Sequence, residues 1–283
     1  MLKKRVITTL VIIPLPVAAI WFGEPWFTAL MAVVAVLGVM EFYRLAVASR
    51  ASPLVHIGVV LTLLFIISRN PDLLSFLAPR FDPGLLIPLL LMLAIALPML
   101  WLLIRPRTGA AFVNWAWTLG GILYVGWLLS HLVSLRGMTD GMNWVFLVIL
   151  ANAASDTTAF FIGRSFGRHR LAPRISPNKT WEGALAGVVG AMVFSLLFTA
   201  PRLFAATNPL YVEGFIYWQA LSLGLLVSVF GQLGDLAESL LKRHAGVKDS
   251  GRLLPGHGGV LDRMDSIIFA GIVVYYYVVW VIQ

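Results

Sequence analysis

The residues of this chain that could do chemistry crowd into two stretches, 152–182 and 231–265. In the second, Asp235, Glu238, Ser239 and Lys242 fall at i, i+3, i+4 and i+7, which puts them on one face of a helix. Asp262 and Asp265 are three apart and share a face where another apolar segment opens. Carboxylates there gain from the positive end of the helix dipole. Two helix ends that each offer carboxylates at one surface can converge on a single hard cation. Oxygen-only ligation, with no cysteine and five scattered histidines, suits Mg²⁺ and not zinc or copper. Lys242, Arg243, Lys248, Arg252, His257 and Arg263 surround these carboxylates, and Gly256, Gly258 and Gly259 would let backbone approach a phosphate closely. Such a set is what polyphosphate chemistry needs, because metal and cations neutralise charge moving onto a leaving pyrophosphate. No GxxxxGK[ST] sequence is present, so the chain is not a Walker-type ATPase. The competing reading is a solvated basic loop paired with itself and with anionic lipid heads, which suits Arg252 and Lys248 better than Asp235 and Asp262.

In the first stretch Asp156 sits inside an otherwise apolar run. A carboxylate there costs about 2.5–3.5 kcal/mol, so it should face a polar cavity or a partner. Ser176, Asn178, Lys179 and Thr180 supply two hydroxyls, an amide and an ammonium just ahead of a helix, a plausible anion cradle. Ordinary capping accounts for Thr180 and Glu182 but not for Lys179 beside Asn178. Glu41 and Arg44, three apart, are expected to pair on a helix surface.

Around these stretches the chain is apolar. Its 283 residues are 59% hydrophobic and only 12% charged, about half the charged share of a soluble domain. That composition excludes a secreted fold, a nucleic-acid binder and a soluble enzyme on an anchor. With spans of roughly 17 to 25 residues, nine can be read: 6–22, 26–43, 53–68, 85–104, 115–135, 143–162, 183–200, 215–234 and 266–282. The first is read as a span and not a cleaved signal, because the apolar run continues through Ile20-Trp21-Phe22. Nine spans with the N-terminus cytoplasmic put 17 of the 21 Lys and Arg residues inside and leave Arg69, Arg80, Arg136 and Arg202 outside. Removing the short span 53–68 would turn this to 9 inside against 12 outside, contrary to the positive-inside bias. The expected fold is all-α and polytopic, with spans 1–5 in residues 1–140. Spans 6–9 would form a catalytic region over 141–283, with cytoplasmic loops 163–182 and 235–265.

The run Ser239-x-x-Lys242-Arg243-x₄-Lys248-Asp249-x-Gly251-x-x-Leu254-Pro255-x-His257-Gly258-Gly259-x-x-Asp262-Arg263-x-Asp265 resembles the signature of the phosphatidate cytidylyltransferases, or CDP-diacylglycerol synthases. The segments 176–183 and 234–239 resemble that family too, in the expected order and spacing. The resemblance implies transfer of CMP from CTP to phosphatidate at the cytoplasmic face of the inner (plasma) membrane, with release of pyrophosphate. It implies Mg²⁺, a two-cation site in family members, and a homodimer. Carried over by position, Asp235 and Asp262 would bind metal, with Asp265 a further ligand or support. Ser176, Asn178, Lys179 and Thr180 would hold phosphates or nucleotide. Glu238 and Ser239 fall within the matching segment, and Lys242, Arg243, Lys248, His257 and Arg263 would surround the triphosphate or the lipid head group. A phosphate monoester is already anionic near neutral pH, its second ionisation lying near 6, so no general base is expected and His257 is read as a phosphate donor or turn element. Two rival readings are a transporter or channel for anionic solutes and a related CTP-dependent polyprenol kinase, whose alcohol nucleophile would call for a base.

Overall fold

Long runs of Leu, Val, Ala, Ile and Phe in lipid leave the helix as the way to satisfy backbone N–H and C=O groups within one segment. The computed structural model, in which residues 14–104, 110–203, 206–253 and 258–283 are described, is accordingly all-α apart from two short hairpins. Among the described residues seven helical segments are long and apolar enough to cross a membrane. An eighth candidate is the pair Val55–Ile67 and Pro71–Leu77, which meet at an 83° bend. The bend lies just at the end of the shortest expected span, 53–68. Asn70 caps the second piece by accepting from Leu73 N–H at 2.9 Å, and Pro71 follows in the first helical turn, where its missing N–H costs nothing. Of the expected span 6–22, Pro14–Phe22 is helical and the remainder lies outside the described residues, as does His257.

The helices are α1 (Pro14–Phe22), α2 (Trp26–Ala48), α3 (Val55–Ile67), α4 (Pro71–Leu77), α5 (Leu86–Ile104), α6 (Ala111–Gly121), α7 (Leu128–Arg136), α8 (Gly141–Phe166), α9 (Trp181–Ser195), α10 (Tyr217–His244) and α11 (Leu261–Tyr277). A π-helical segment, Ile122–Trp127, joins α6 to α7 in one span. The chain forms two compact units: Met1–Gly137 with Leu241–Arg263, and Met138–Leu240 with Met264–Gln283. The segment 241–263 therefore packs with the first spans, although the sequence groups it with the last four.

In the first unit Tyr43 is the pivot. Its buried hydroxyl donates to the Thr118 carbonyl at 2.9 Å, and its ring fills space that only glycine leaves free at positions 58 and 121. Leu54 N–H donates to Thr118 Oγ1 at 2.8 Å and Ser52 N–H to Asn114 Oδ1 at 2.6 Å, so the α2–α3 turn finds its partners on α6. Leu61, Phe65, Leu90, Ala94 and Ile122 close the apolar core between α3, α5 and the π-helical segment. Elsewhere in the unit Asn70 donates to the Glu24 carboxylate at 2.8 Å and to Thr28 Oγ1 at 3.0 Å.

In the second unit α8 and α9 lie against each other along small residues. A Cβ on Gly183 would meet the Ala159 carbonyl at 2.7 Å and Gly163 Cα at 3.1 Å, so only glycine permits this approach. Helix α10 is tied to both: Ser228 Oγ bonds Ser155 Oγ at 2.7 Å, and Gln232 Nε2 donates to the Ala184 carbonyl at 3.1 Å. Between α8 and α9 the chain makes an antiparallel hairpin of β1 (Arg170–Ala172) and β2 (Ser176–Thr180), with Arg170 opposite Thr180 and Ala172 opposite Ser176. The second hairpin pairs β3 (Arg202–Leu203) with β4 (Ala206–Thr207).

Candidate functional site

The polar face of the second unit is a cleft of about 600 Å³ where the end of α8, the β1–β2 hairpin, the start of α9 and the polar part of α10 meet. Asp156, Arg164, Arg170, Asn178, Lys179, Thr180, Gln232 and Asp235 line it. The intramembrane carboxylate Asp156 thus faces a polar cavity, with Asn152 Nδ2 donating to it at 3.4 Å. Lys179 Nζ stands 2.7 Å from Asp235 Oδ2, an ion pair whose side chains are 25% and 32% exposed. Ser239 Oγ donates to the other Asp235 oxygen at 3.2 Å. The hairpin is what brings Lys179 here: the His169 carbonyl accepts from Trp181 N–H at 2.9 Å, and the Glu182 carboxylate bonds His169 Nδ1 at 2.7 Å. Glu182 therefore fastens the hairpin to α9 instead of closing a capping box. Thr180 is the cap, accepting from Gly183 N–H at 3.2 Å, so its hydroxyl is already engaged at the cleft wall. Ser176 lies at the opposite end of β2.

In the first unit Asp262 opens α11 with both oxygens occupied. Lys242 Nζ donates to Oδ1 at 2.7 Å, and the Ser250 and Gly259 N–H groups donate to Oδ2 at 3.0 and 2.8 Å. The ion pair is nearly dry, its side chains 11% and 8% exposed. Beside it Glu41, buried on α2, accepts from Ser250 Oγ at 3.1 Å, Val260 N–H at 3.1 Å and Leu261 N–H at 2.9 Å. This replaces the expected pairing with Arg44, which is exposed: three donors converging on Glu41 satisfy a buried carboxylate better than a surface cation could. The nearby glycines lie close against the same two carboxylates. Gly258 has φ +83°, and a Cβ there would meet Asp262 Oδ2 at 2.6 Å. At Gly251 and Gly259 a Cβ would run into the Glu41 carboxylate. Within the described residues their space is filled by side-chain carboxylates.

Of the remaining expected residues, Arg243 is exposed and donates to the Val247 carbonyl at 3.4 Å; Lys248 and Arg263 are exposed. Glu238 is fully buried on α10. Asp265, also buried, accepts from Ser266 N–H at 2.7 Å. Sequence reasoning missed Arg164, Arg170 and Gln232 in the cleft and the reach of Glu41. For the two arginines the signal was available, since both follow Asp156 within the first polar stretch; for Glu41 nothing local could have found partners more than 200 residues away.

Among the described residues no group of three or more His, Asp or Glu side chains is gathered into a metal cage. Mg²⁺ does not require one, because it is held by one or two carboxylates together with waters and substrate phosphates. Asp235 already carries a cationic partner in an open cleft. A carboxylate offers about four lone-pair positions, and Asp262 uses three. Oxygen donors of this kind fit a hard cation.

Residues 3–281 match the model of the cytidylyltransferase family. A phosphatidate cytidylyltransferase of Synechocystis sp. is 34% identical over 98% of this chain and 96% of its own length. Those of Bacillus subtilis and Brucella abortus are each 43% identical, the first over 52% of both chains and the second over 56% of both. With a match that runs through both polar stretches and nearly every span, this polytopic membrane protein belongs to the cytidylyltransferase family.

Proposed function

We infer that this chain transfers CMP from CTP to phosphatidate, giving CDP-diacylglycerol and pyrophosphate. The observation that carries the reading is the cleft of a membrane-spanning family member in which Arg164, Arg170 and Lys179 stand opposite Asp156 and Asp235. A phosphatidate oxygen, already anionic, attacks the α-phosphorus of CTP; the bond from that phosphorus to the β-phosphate oxygen breaks, and its electrons leave with pyrophosphate. Lys179, Arg164 and Arg170 neutralise the phosphates and align them, which is the main work of phosphoryl-type transfer. No side chain is required to remove a proton from the nucleophile. Asn178 and Thr180 adjoin Lys179 in the cleft lining, Ser176 is proposed to hold phosphate from the far end of β2, and Ser239 steadies Asp235.

Asp235, Asp262 and Asp265 are the carboxylates proposed to hold Mg²⁺, and the metal when bound supplies charge neutralisation on the triphosphate. Lys242, Arg243, Lys248, His257 and Arg263 are proposed around the triphosphate or the lipid head group, and Glu238 beside Asp235. The placement of 17 of the 21 Lys and Arg residues on one side supports an inner-membrane protein with its site toward the cytoplasm, where CTP is available, and the resemblance to the family signature supports a homodimer. The test is Mg²⁺-dependent pyrophosphate release from CTP by purified protein in detergent. Release that requires phosphatidate supports the reading. Release without lipid, or CDP formation with a polyprenol in place of phosphatidate, would replace it.

A further inference from the structure

The geometry points to Glu41 as a positioning residue of the reaction, acting on Asp262 through Ser250 and residues 259–261; this rests on the cytidylyltransferase reading above. Glu41 lies on α2, in a half of the chain that otherwise offers little chemistry, yet it is only 2% exposed. A buried carboxylate persists when donors replace its lost water. Here the donors are a hydroxyl and two consecutive amides, from Ser250, Val260 and Leu261. The amides stand at the N-terminus of α11, whose unpaired N–H groups and positive dipole end favour an anion.

Capping alone would be a sufficient account if Glu41 and Asp262 drew on separate donors. They do not. Ser250 gives its hydroxyl to Glu41 and its amide to Asp262. At the start of α11, Gly259 N–H goes to Asp262 and the next two N–H groups go to Glu41. One strip of donors is thus shared between two carboxylates. Glu41 fixes the strip to the helix scaffold, and the strip, with Lys242, fixes the direction of Asp262. Glycine at 251 and 259 is what lets the backbone at these two positions approach Glu41. Removing the Glu41 acceptors would leave the helix start intact in sequence but free the turn that orients Asp262.

The test uses Glu41→Gln, which keeps the shape but sets an amide NH₂ against an N–H donor, and Ser250→Ala, which removes only the hydroxyl link. Because the chain has no cysteine, a single Leu253→Cys at an exposed position of the turn takes a spin label, and its mobility is read with no reference to activity. In a Glu41→Gln protein that unfolds at the wild-type temperature, kcat is expected to fall about 10–100-fold, as for lost supports of metal ligands. The Mg²⁺ concentration for half-maximal rate should rise, KM for phosphatidate should hold, and the label should become mobile. A merely structural residue would lower the unfolding temperature without moving the Mg²⁺ dependence. Wild-type turnover and Mg²⁺ dependence in folded Glu41→Gln overturn the proposal. Should that variant not fold, Ser250→Ala decides in the same directions. If the unsubstituted protein releases no pyrophosphate with any lipid, the function reading falls, and an immobile label in Glu41→Gln would separately overturn the hold of Glu41 on the turn.

Discussion

Asp235 and Asp262 each accept from a lysine at 2.7 Å, yet the two regions around them are built for different ends. Asp235 and Lys179 meet in an open cleft, roughly a quarter to a third exposed, and the lysine arrives on a short hairpin. Such a pair contributes at most about 1 kcal/mol and exchanges partners readily. Asp262 and Lys242 are nearly dry, and two backbone amides and the neighbouring Glu41 lock the surrounding turn. A pair of that kind holds direction, and breaking it leaves a buried charge without compensation. The same two residue types therefore serve an exchangeable contact in one unit and a rigid one in the other. Burial and the number of backbone donors make the difference, not the ion pair itself.

The contrast can be broken most directly at Asp262. Asp262→Asn should abolish turnover and also destabilise the protein by about 3–5 kcal/mol, since it breaks the buried ion pair with Lys242; pyrophosphate release and denaturant unfolding in detergent report the two effects. Asp235→Asn should lower kcat by about 10²–10³-fold through lost charge stabilisation while moving stability by no more than about 1 kcal/mol. An equal loss of stability at both positions would erase the distinction. Lys179→Met should raise KM for CTP about 10–100-fold, the worth of one or two charge-assisted contacts, measured by titrating CTP at saturating phosphatidate. The smallest effect sharpens the role of the hairpin: Thr180→Ala should cost about 1 kcal/mol through the lost cap of α9, and Thr180→Ser should restore it, read from unfolding midpoints.

Much of the site was legible because its chemistry is local in sequence. Asn178 and Lys179 sit side by side on β2, and Asp235 and Ser239 are one helical turn apart, so spacing alone placed each pair. The expectation that Asp156 faces a polar cavity or a partner is met by the cleft and by Asn152, because a carboxylate at that depth is costly without them. Glu41 was misassigned because i, i+3 spacing suggested Arg44, whereas its donors come from residues 250–261. Gly258 and Gly259 were read for their approach to phosphate, and the closeness of Asp262 and Glu41 to them was not foreseen.

By itself the amino-acid sequence determined that this is an all-α chain threaded repeatedly through a membrane, and that its polar chemistry gathers in two stretches. Hydropathy and residue spacing carry that information over a few helical turns, and the lipid environment enforces it. Only the tertiary structure decided which carboxylate is held rigid and which stands open. That outcome depends on whether a segment more than 200 residues away delivers a hydroxyl and backbone amides to a buried oxygen, and no local pattern encodes the meeting. Burial then sets the energetics, because a carboxylate removed from water must be met by donors wherever in the chain they lie.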